Sequence, residues 1–327
     1  MSTQPLVSTA PSLQSQAVHA TFRLVVRPVL QRIPVNGWPV VLAATVESAA
    51  KVLPPPSGVT VEKVCLARFD AEIVRPSTGP MDLRRGAVLY LHGGAFLVGG
   101  LNSHRPVVAA IARRTGLAVM HVAYRQLPDA PISGSVEDCV MAYRWLVNRG
   151  VDPARIVIAG DSAGGFLAFA TALAAPAAGL GGPAALIGFS PWLDLDCATK
   201  LAHPNNDSDA YLPAKLLAAV GGSGGTGPNG EALPSPVDGA LSGLPPVLLI
   251  AVDSEVLFVD SELMAARLDA AGVPCTLRIW KGQIHAFTTL FPWLPESRAA
   301  LDDAASFIIS RIGAAPVPSI EHPANGS

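Results

Sequence analysis

Charge is scarce in this chain. Asp, Glu, Lys and Arg make up 15% of 327 residues, and 25 acidic against 23 basic side chains leave a net charge of −2. So few cations assemble no basic face for a phosphate backbone or an anionic lipid surface, which excludes nucleic acid as a partner and points to a small, weakly charged ligand. Cysteine is also sparse: Cys65, Cys139, Cys197 and Cys275 lie far apart with no Cys-x-x-Cys pair. Neither a disulfide framework nor a metal site is expected, and Cys139 and Cys275, in apolar periodic text, read as buried thiols. The first twenty residues contain no Lys or Arg and no continuous apolar run, so no secretory signal is expected there and the protein is expected in the cytoplasm. Residues 162–193 carry no formal charge over a length that could span a bilayer. Pro176, Gly179, Gly181, Gly182 and Pro183 divide that stretch into a helix and a short strand, so no membrane span is expected.

Apolar residues are abundant, at 50%, and their spacing changes along the chain. Residues 1–18 are rich in Ser, Thr, Gln and Pro and are expected to be loose. Amphipathic helices are predicted over 19–32 and 39–52, and a pair of strands over 59–69 and 72–75. From there, apolar runs of strand length (87–91, 117–124, 156–159, 185–189, 247–252 and 276–280) alternate with helical segments at 105–115, 135–149, 163–174, 259–271 and 296–312. Continuous rather than alternating apolar strands predict an α/β fold, a mostly parallel twisted sheet with helices on both faces. Between 191 and 244 the pattern fails around one short predicted helix, 212–220. Such an insertion at a strand end reads as a lid. The predicted layout is a core of 57–196 and 245–312, a helical cap from 19–56 and 197–244, and a loose tail over 313–327.

One strand-to-helix junction carries chemistry. Gly160-Asp-Ser-Ala-Gly164 is a Gly-x-Ser-x-Gly turn between a β-branched run and a helix former, which makes Ser162 a candidate nucleophile held in a sharp turn. The same pattern recurs at 221–225, around Ser223, in Gly-rich text expected to be a loop with no strand before it. Reactive groups in α/β sheets gather beyond the carboxyl ends of the strands. After the strand at 87–91 comes His92-Gly-Gly-Ala-Phe96, whose amides at Gly94 and Ala95, with Gly93 as a further candidate, could bind an oxyanion together with that of Ala163. A serine needs a base that titrates near neutrality, and His285, beyond the last strand, follows in the required chain order. Asp253, Glu255 and Asp260 compete as the acid; Asp253 is nearest the strand end, and Asp260 reads as a helix cap.

Taken together, these segments resemble the hormone-sensitive-lipase-like family (bacterial family IV) of carboxylesterases with the α/β-hydrolase fold. The resemblance spans most of the chain: His92-Gly-Gly, Gly160-Asp-Ser-Ala-Gly-Gly165, Tyr124-Arg125 followed by Pro128-Asp129, Ser190-Pro-Trp-Leu-Asp-Leu195 and Leu244-Pro-Pro-Val247. It implies hydrolysis of short- to medium-chain acyl esters through an acyl-enzyme, a cap built from the N-terminal helices and the insertion, and no metal or other cofactor. It also implies an acid heading an acid-x-Leu segment, which is Glu255 in Glu255-Val-Leu257, with Asp253 as the alternative. Ala95 replaces the family's third glycine and is expected to keep a negative φ. Phe166 replaces a common Asn, and the Tyr-Arg segment continues Gln126-Leu-Pro-Asp129. Phe96, Phe166, Trp192, Tyr211 and Phe287 are candidates for lining the substrate pocket. The expected partner is a small-molecule ester, with a homodimer left open. A lactonase or amidase on the same site, or a non-catalytic receptor for a small ligand, is the alternative reading.

Overall fold

The computed structural model describes residues 6–8, 10–32, 47–52, 54–78, 82–225 and 231–313. Among the described residues nine strands form one sheet in the order β1-β9-β8-β7-β6-β4-β5-β3-β2. They are β1 (Leu6–Val7), β2 (Val59–Cys65), β3 (Asp70–Pro76), β4 (Ala87–Leu91), β5 (Ala118–Val122), β6 (Ile156–Asp161), β7 (Ala185–Phe189), β8 (Val247–Val252) and β9 (Cys275–Trp280). β2 and β3 pair antiparallel, β3 pairs antiparallel with β5, and every other pairing is parallel. All six runs predicted beyond residue 86 are the parallel strands β4–β9.

Every residue of β4, β5, β6, β7 and β8 is buried, as their unbroken apolar runs require. Successive side chains enter opposite layers: Leu89, Leu91, Ile156 and Ile158 meet the helices Ile132–Asn148 and Ala163–Ala174, while Val88, Tyr90, Val157 and Ala159 meet Leu101–Thr115 and Pro295–Ile312. The register aligns Leu91 with Gly160, Asp161 with Phe189 and Val252 with Trp280, so the strands reach their carboxyl ends side by side.

Several segments differ from their sequence reading. The described part of 1–18, expected to be loose, is ordered. Leu6–Val7 adds to the sheet beside β9, and Ser12 caps the helix Leu13–Thr21, which passes through a π turn at Phe22–Val26 into Arg27–Arg32. Glu296 anchors this start by accepting hydrogen bonds from the amide and hydroxyl of Ser12 and from Ser15. Of the predicted helix 39–52, residues 39–46 lie outside the described part; Glu47 caps the Leu101–Thr115 helix through the amides of Asn102 (2.7 Å) and Ser103 (3.1 Å). Among its described residues the insertion holds three α-helices rather than one, Ala198–Ala202, Asn205–Ser208 and Ala214–Gly224, and a 3-10 turn at Pro236–Asp238. Ser223 is therefore helical and exposed, its hydroxyl donating to Val220 O; of the predicted Gly-rich loop, residues 226–230 lie outside the described part, as does the tail from 314 on. Arg23 and Arg27 donate to carbonyls of 206–209, and Phe22 packs edge-on against Tyr211, so the N-terminal helical run rests on the insertion. No disulfide joins the cysteines among the described residues; Cys139 and Cys197 are buried, Cys275 is half-buried and Cys65 is exposed. Among the described residues no helix is long and apolar enough to cross a membrane.

Candidate active site

β6 delivers Ser162 to the sheet's carboxyl edge. The residue joins the strand to the helix Ala163–Ala174 at φ +52°, ψ −120°, a conformation that costs a side-chain-bearing residue about 1–3 kcal/mol and persists only where the surroundings enforce it. They do so here from several directions. Ser162 N donates to Phe189 O (2.9 Å), and Ser162 O accepts from Gly165 N and Trp192 N (both 2.9 Å). The turn is tight enough that a Cβ at Gly160 would overlap the Gly164 carbonyl and one at Gly164 would overlap the Leu91 carbonyl.

His285 follows β9, and its Nε2 lies 3.0 Å from Ser162 Oγ. Its Nδ1 lies 2.6 Å from Glu255 Oε2, and the second carboxylate oxygen of Glu255 accepts Val252 N (2.8 Å), which turns the side chain back toward the strand end. Asp253, the alternative acid, does not meet the imidazole; its carboxylate accepts Gly282 N (3.1 Å) and braces the loop that leads to His285. Asp260 is no helix cap. It is buried and ion-paired with Lys200 Nζ (2.6 Å), and it accepts the amides of Leu193 and Asp194. Burial pushes its carboxyl up to about 6 against the pull of Lys200 and those amides.

Burial works against the imidazolium of His285. The hydrogen bond and charge of Glu255, helped by Asp209 and Asp161, outweigh burial and raise its pKa above the ordinary 6.5. A base must be neutral to take a proton, so kcat/KM is expected to fall with acidification through a midpoint above 6.5. A pH–rate profile on a neutral ester checks this; a midpoint below the ordinary imidazole value overturns the electrostatic account.

The His92–Phe96 turn lies directly against the elbow, since a Cβ on Gly164 would also crowd the His92 carbonyl. Among the described residues the amides of Gly94, Ala95 and Ala163 donate to no protein group, which leaves them available to an oxyanion. Gly93 is different: its amide donates to Asp161 Oδ1 (3.1 Å), so it holds the turn in place and is not free to bind an oxyanion. Ala95, expected at negative φ, sits at +53° between Gly94 at +116° and Phe96 at +58°. Hydrogen bonds from Leu97 N and Val98 N to Gly94 O (3.0 Å each) close the turn and impose this geometry.

The comparisons agree with this architecture. The alpha/beta hydrolase fold family profile matches residues 88–289. The esterase LipU of Mycobacterium tuberculosis is 40% identical over 89% of this chain and 100% of its own length. An esterase from the bacterial hormone-sensitive lipase family superposes with a TM-score of 0.81 at 30% identity, covering 93% of this chain and 100% of that one. The chain belongs to the hormone-sensitive-lipase-like carboxylesterases. It is a carboxylic ester hydrolase. The structure of the related esterase EstE5, soaked with p-nitrophenyl butyrate, superposes with a TM-score of 0.82 at 32% identity, covering 93% of this chain and 100% of that one.

In this esterase the candidate pocket residues separate into three groups. Phe96, Phe166 and Trp192 are fully buried and pack on one another, with Phe96 centred 5.5 Å from each of the other two rings, so they form a wall rather than an open lining. Phe287 is displaced from the site, since it packs against Trp280 in the opposite layer of the core. Tyr211 alone is partly exposed, and its hydroxyl donates to His285 O (3.3 Å).

Two carboxylates at this site escape a reading of the sequence. Asp161 accepts Tyr90 Oη (2.8 Å) as well as Gly93 N, and it faces His104 Nε2 at 3.4 Å, tying the His92–Phe96 turn to the strand end just before Ser162. Burial opposes its ionisation, but the charge and hydrogen bond of His104, with the hydrogen bond of Tyr90, outweigh burial and lower its pKa. A charge closing an otherwise apolar strand was its signal. Asp209, whose carboxylate accepts Val256 N beside Glu255, gave no signal, because it lies in Asn/Asp/Ser-rich text that reads as solvated surface.

Proposed function

We propose that this is a cytoplasmic serine carboxylesterase that cleaves short- to medium-chain acyl esters through a covalent acyl-enzyme. The observation that carries the reading is the unbroken line from Ser162 Oγ to His285 Nε2 (3.0 Å) and from His285 Nδ1 to Glu255 (2.6 Å). His285 takes the hydroxyl proton as Ser162 Oγ bonds to the ester carbonyl carbon, and the resulting oxyanion is held by the amides of Gly94, Ala95 and Ala163. The imidazolium passes its proton to the departing alkoxide, leaving acyl-Ser162 and a free alcohol. Water then attacks the acyl carbonyl with His285 again as base, and the proton returns to Ser162 Oγ as the carboxylic acid leaves. Throughout, Glu255 keeps the proton on Nδ1 and stabilises the imidazolium. The N-terminal helical run and the insertion act as the cap that shields these steps from bulk water.

Acyl length follows from the buried wall. Phe96, Phe166 and Trp192 fill the space beside the elbow with rigid rings, which favours acyl groups of a few carbons, in line with the butyrate ester presented to EstE5. A p-nitrophenyl ester series from acetate to decanoate tests it. The expected profile peaks between acetate and hexanoate and falls at least about tenfold by decanoate. A maximum at decanoate, or no hydrolysis of any member, overturns the reading.

A further inference from the structure

The loop that carries Glu255 is held from outside the core. Asn205 Nδ2 donates to Asp253 O (2.9 Å) and to Glu255 O (3.0 Å), Ser208 Oγ donates to Ser254 O (3.0 Å), and Val256 N donates to Asp209 Oδ2 (2.8 Å). Three side chains from one short stretch of the insertion thus satisfy a backbone group on each of four consecutive residues, 253–256. Without them Asp253 O, Ser254 O and Val256 N would lose these partners and turn to water, and Glu255 O would keep only the amide of Phe258 (3.1 Å), so the loop would lose much of what holds this shape. Asp209 is completely buried, and its other oxygen accepts Tyr211 N (2.9 Å) and Leu212 N (2.8 Å). On its outer side the same stretch is gripped by the N-terminal helical run: Arg23 donates to Asp207 O (3.0 Å) and Ser208 O (2.8 Å), and Arg27 donates to Asn206 O and Asp209 O.

The proton relay of Ser162, His285 and Glu255 makes no use of this second buried carboxylate. We propose that Asp209 is a positioning residue for the reaction: it seats Val256, and with it the Glu255 loop, and adds a negative charge beside the Glu255–His285 pair, so that the triad is competent only when the insertion is docked. The inference rests on the serine-esterase reading above. Charged and titratable groups reach this place from every side: His19, Arg23 and Arg27 from the N-terminal run, Tyr211 from the insertion, Asp253 and Glu255 from the acid loop, and Asp161 and His285 from the core. Burial raises the pKa of Asp209, while His285 and the amides of Val256, Tyr211 and Leu212 favour its charged form. In return its charge favours the imidazolium of His285.

Two variants separate position from charge. Asp209→Asn is expected to lower kcat on p-nitrophenyl butyrate about tenfold with little change in KM. Because a negative charge is lost, the acid limb of kcat/KM should also move down by about half a pH unit or more. Asn205→Ala keeps the charge but releases two loop carbonyls, so kcat should fall about tenfold with the acid limb unmoved. Asp207→Asn, whose carboxylate is exposed in the same stretch, is the control and should match wild type. Wild-type kcat and acid limb in Asp209→Asn overturn the proposal, as does wild-type kcat in Asn205→Ala. If Asp209→Asn does not melt cooperatively, Asn205→Ala decides alone. Failure of the wild-type protein to cleave the ester would count against the serine-esterase reading instead.

Discussion

Ser162→Ala is expected to lower kcat on p-nitrophenyl butyrate by about a million-fold, with the melting temperature close to that of wild type. The expected loss is large because the hydroxyl sits 3.0 Å from His285 Nε2, and in the proposed mechanism it is the group that forms the acyl-enzyme. What remains should be the slow attack of water assisted by the amides of Gly94, Ala95 and Ala163, about 10³- to 10⁴-fold above the uncatalysed rate. Alanine keeps the Cβ that makes φ +52° costly, so the strain of the turn is unchanged and the variant separates chemistry from folding. Labelling with a serine-directed fluorophosphonate gives the complementary result: the wild-type adduct should map to Ser162 and vanish in the variant. Retained activity, or an adduct on Ser223 or Ser190, would sink the assignment.

For the acid, Glu255→Gln is expected to lower kcat about 10⁴-fold, whereas Asp253→Asn should stay within about tenfold of wild type. A glutamine amide facing His285 Nδ1 favours the tautomer whose Nε2 carries the proton and points it at Ser162, so the base has no lone pair to offer. The amide also leaves the imidazolium without its counter-charge. Asp253 acts one step away, through Gly282 N, and asparagine retains an oxygen acceptor for that amide. Steady-state kinetics on both variants decide the matter. A collapse in Asp253→Asn with Glu255→Gln near wild type would reverse the assignment.

The acid shows where sequence patterns stop. Three carboxylates within eight residues of a strand end all satisfied the chain-order rule, and the resemblance to the esterase family selected Glu255 by its place before Val256 and Leu257. What separates the three physically is where each side chain finds donors: Glu255 at Val252 N and His285, Asp253 at Gly282 N, and Asp260 at Lys200 and the amides of Leu193 and Asp194. Lys200 lies sixty residues from Asp260, a distance over which local capping chemistry says nothing. Ala95 follows the same logic. Alone, alanine prefers negative φ, and only the closed turn over the Gly94 carbonyl drives it to +53°.

Order at the N-terminus was also invisible locally, because residues 6–15 have no apolar period of their own. Leu6 and Val7 are ordered by pairing with β9, and Ser12 and Ser15 by Glu296, more than 250 residues away. By itself the sequence determined the parallel strands beyond residue 86 and placed Ser162 and His285 at the carboxyl ends of two of them, as candidates for nucleophile and base. Each of these rests on short-range periodicity, or on a residue type at a strand's carboxyl end, and such signals survive without neighbours. Only the tertiary structure decided which carboxylate meets His285, that the Gly93 amide is engaged by Asp161, and that Asp209 of the insertion reaches the loop carrying Glu255. Those outcomes depend on buried polar groups finding partners far along the chain. Burial makes an unpaired group costly, and the particular partner it finds is a property of the folded molecule.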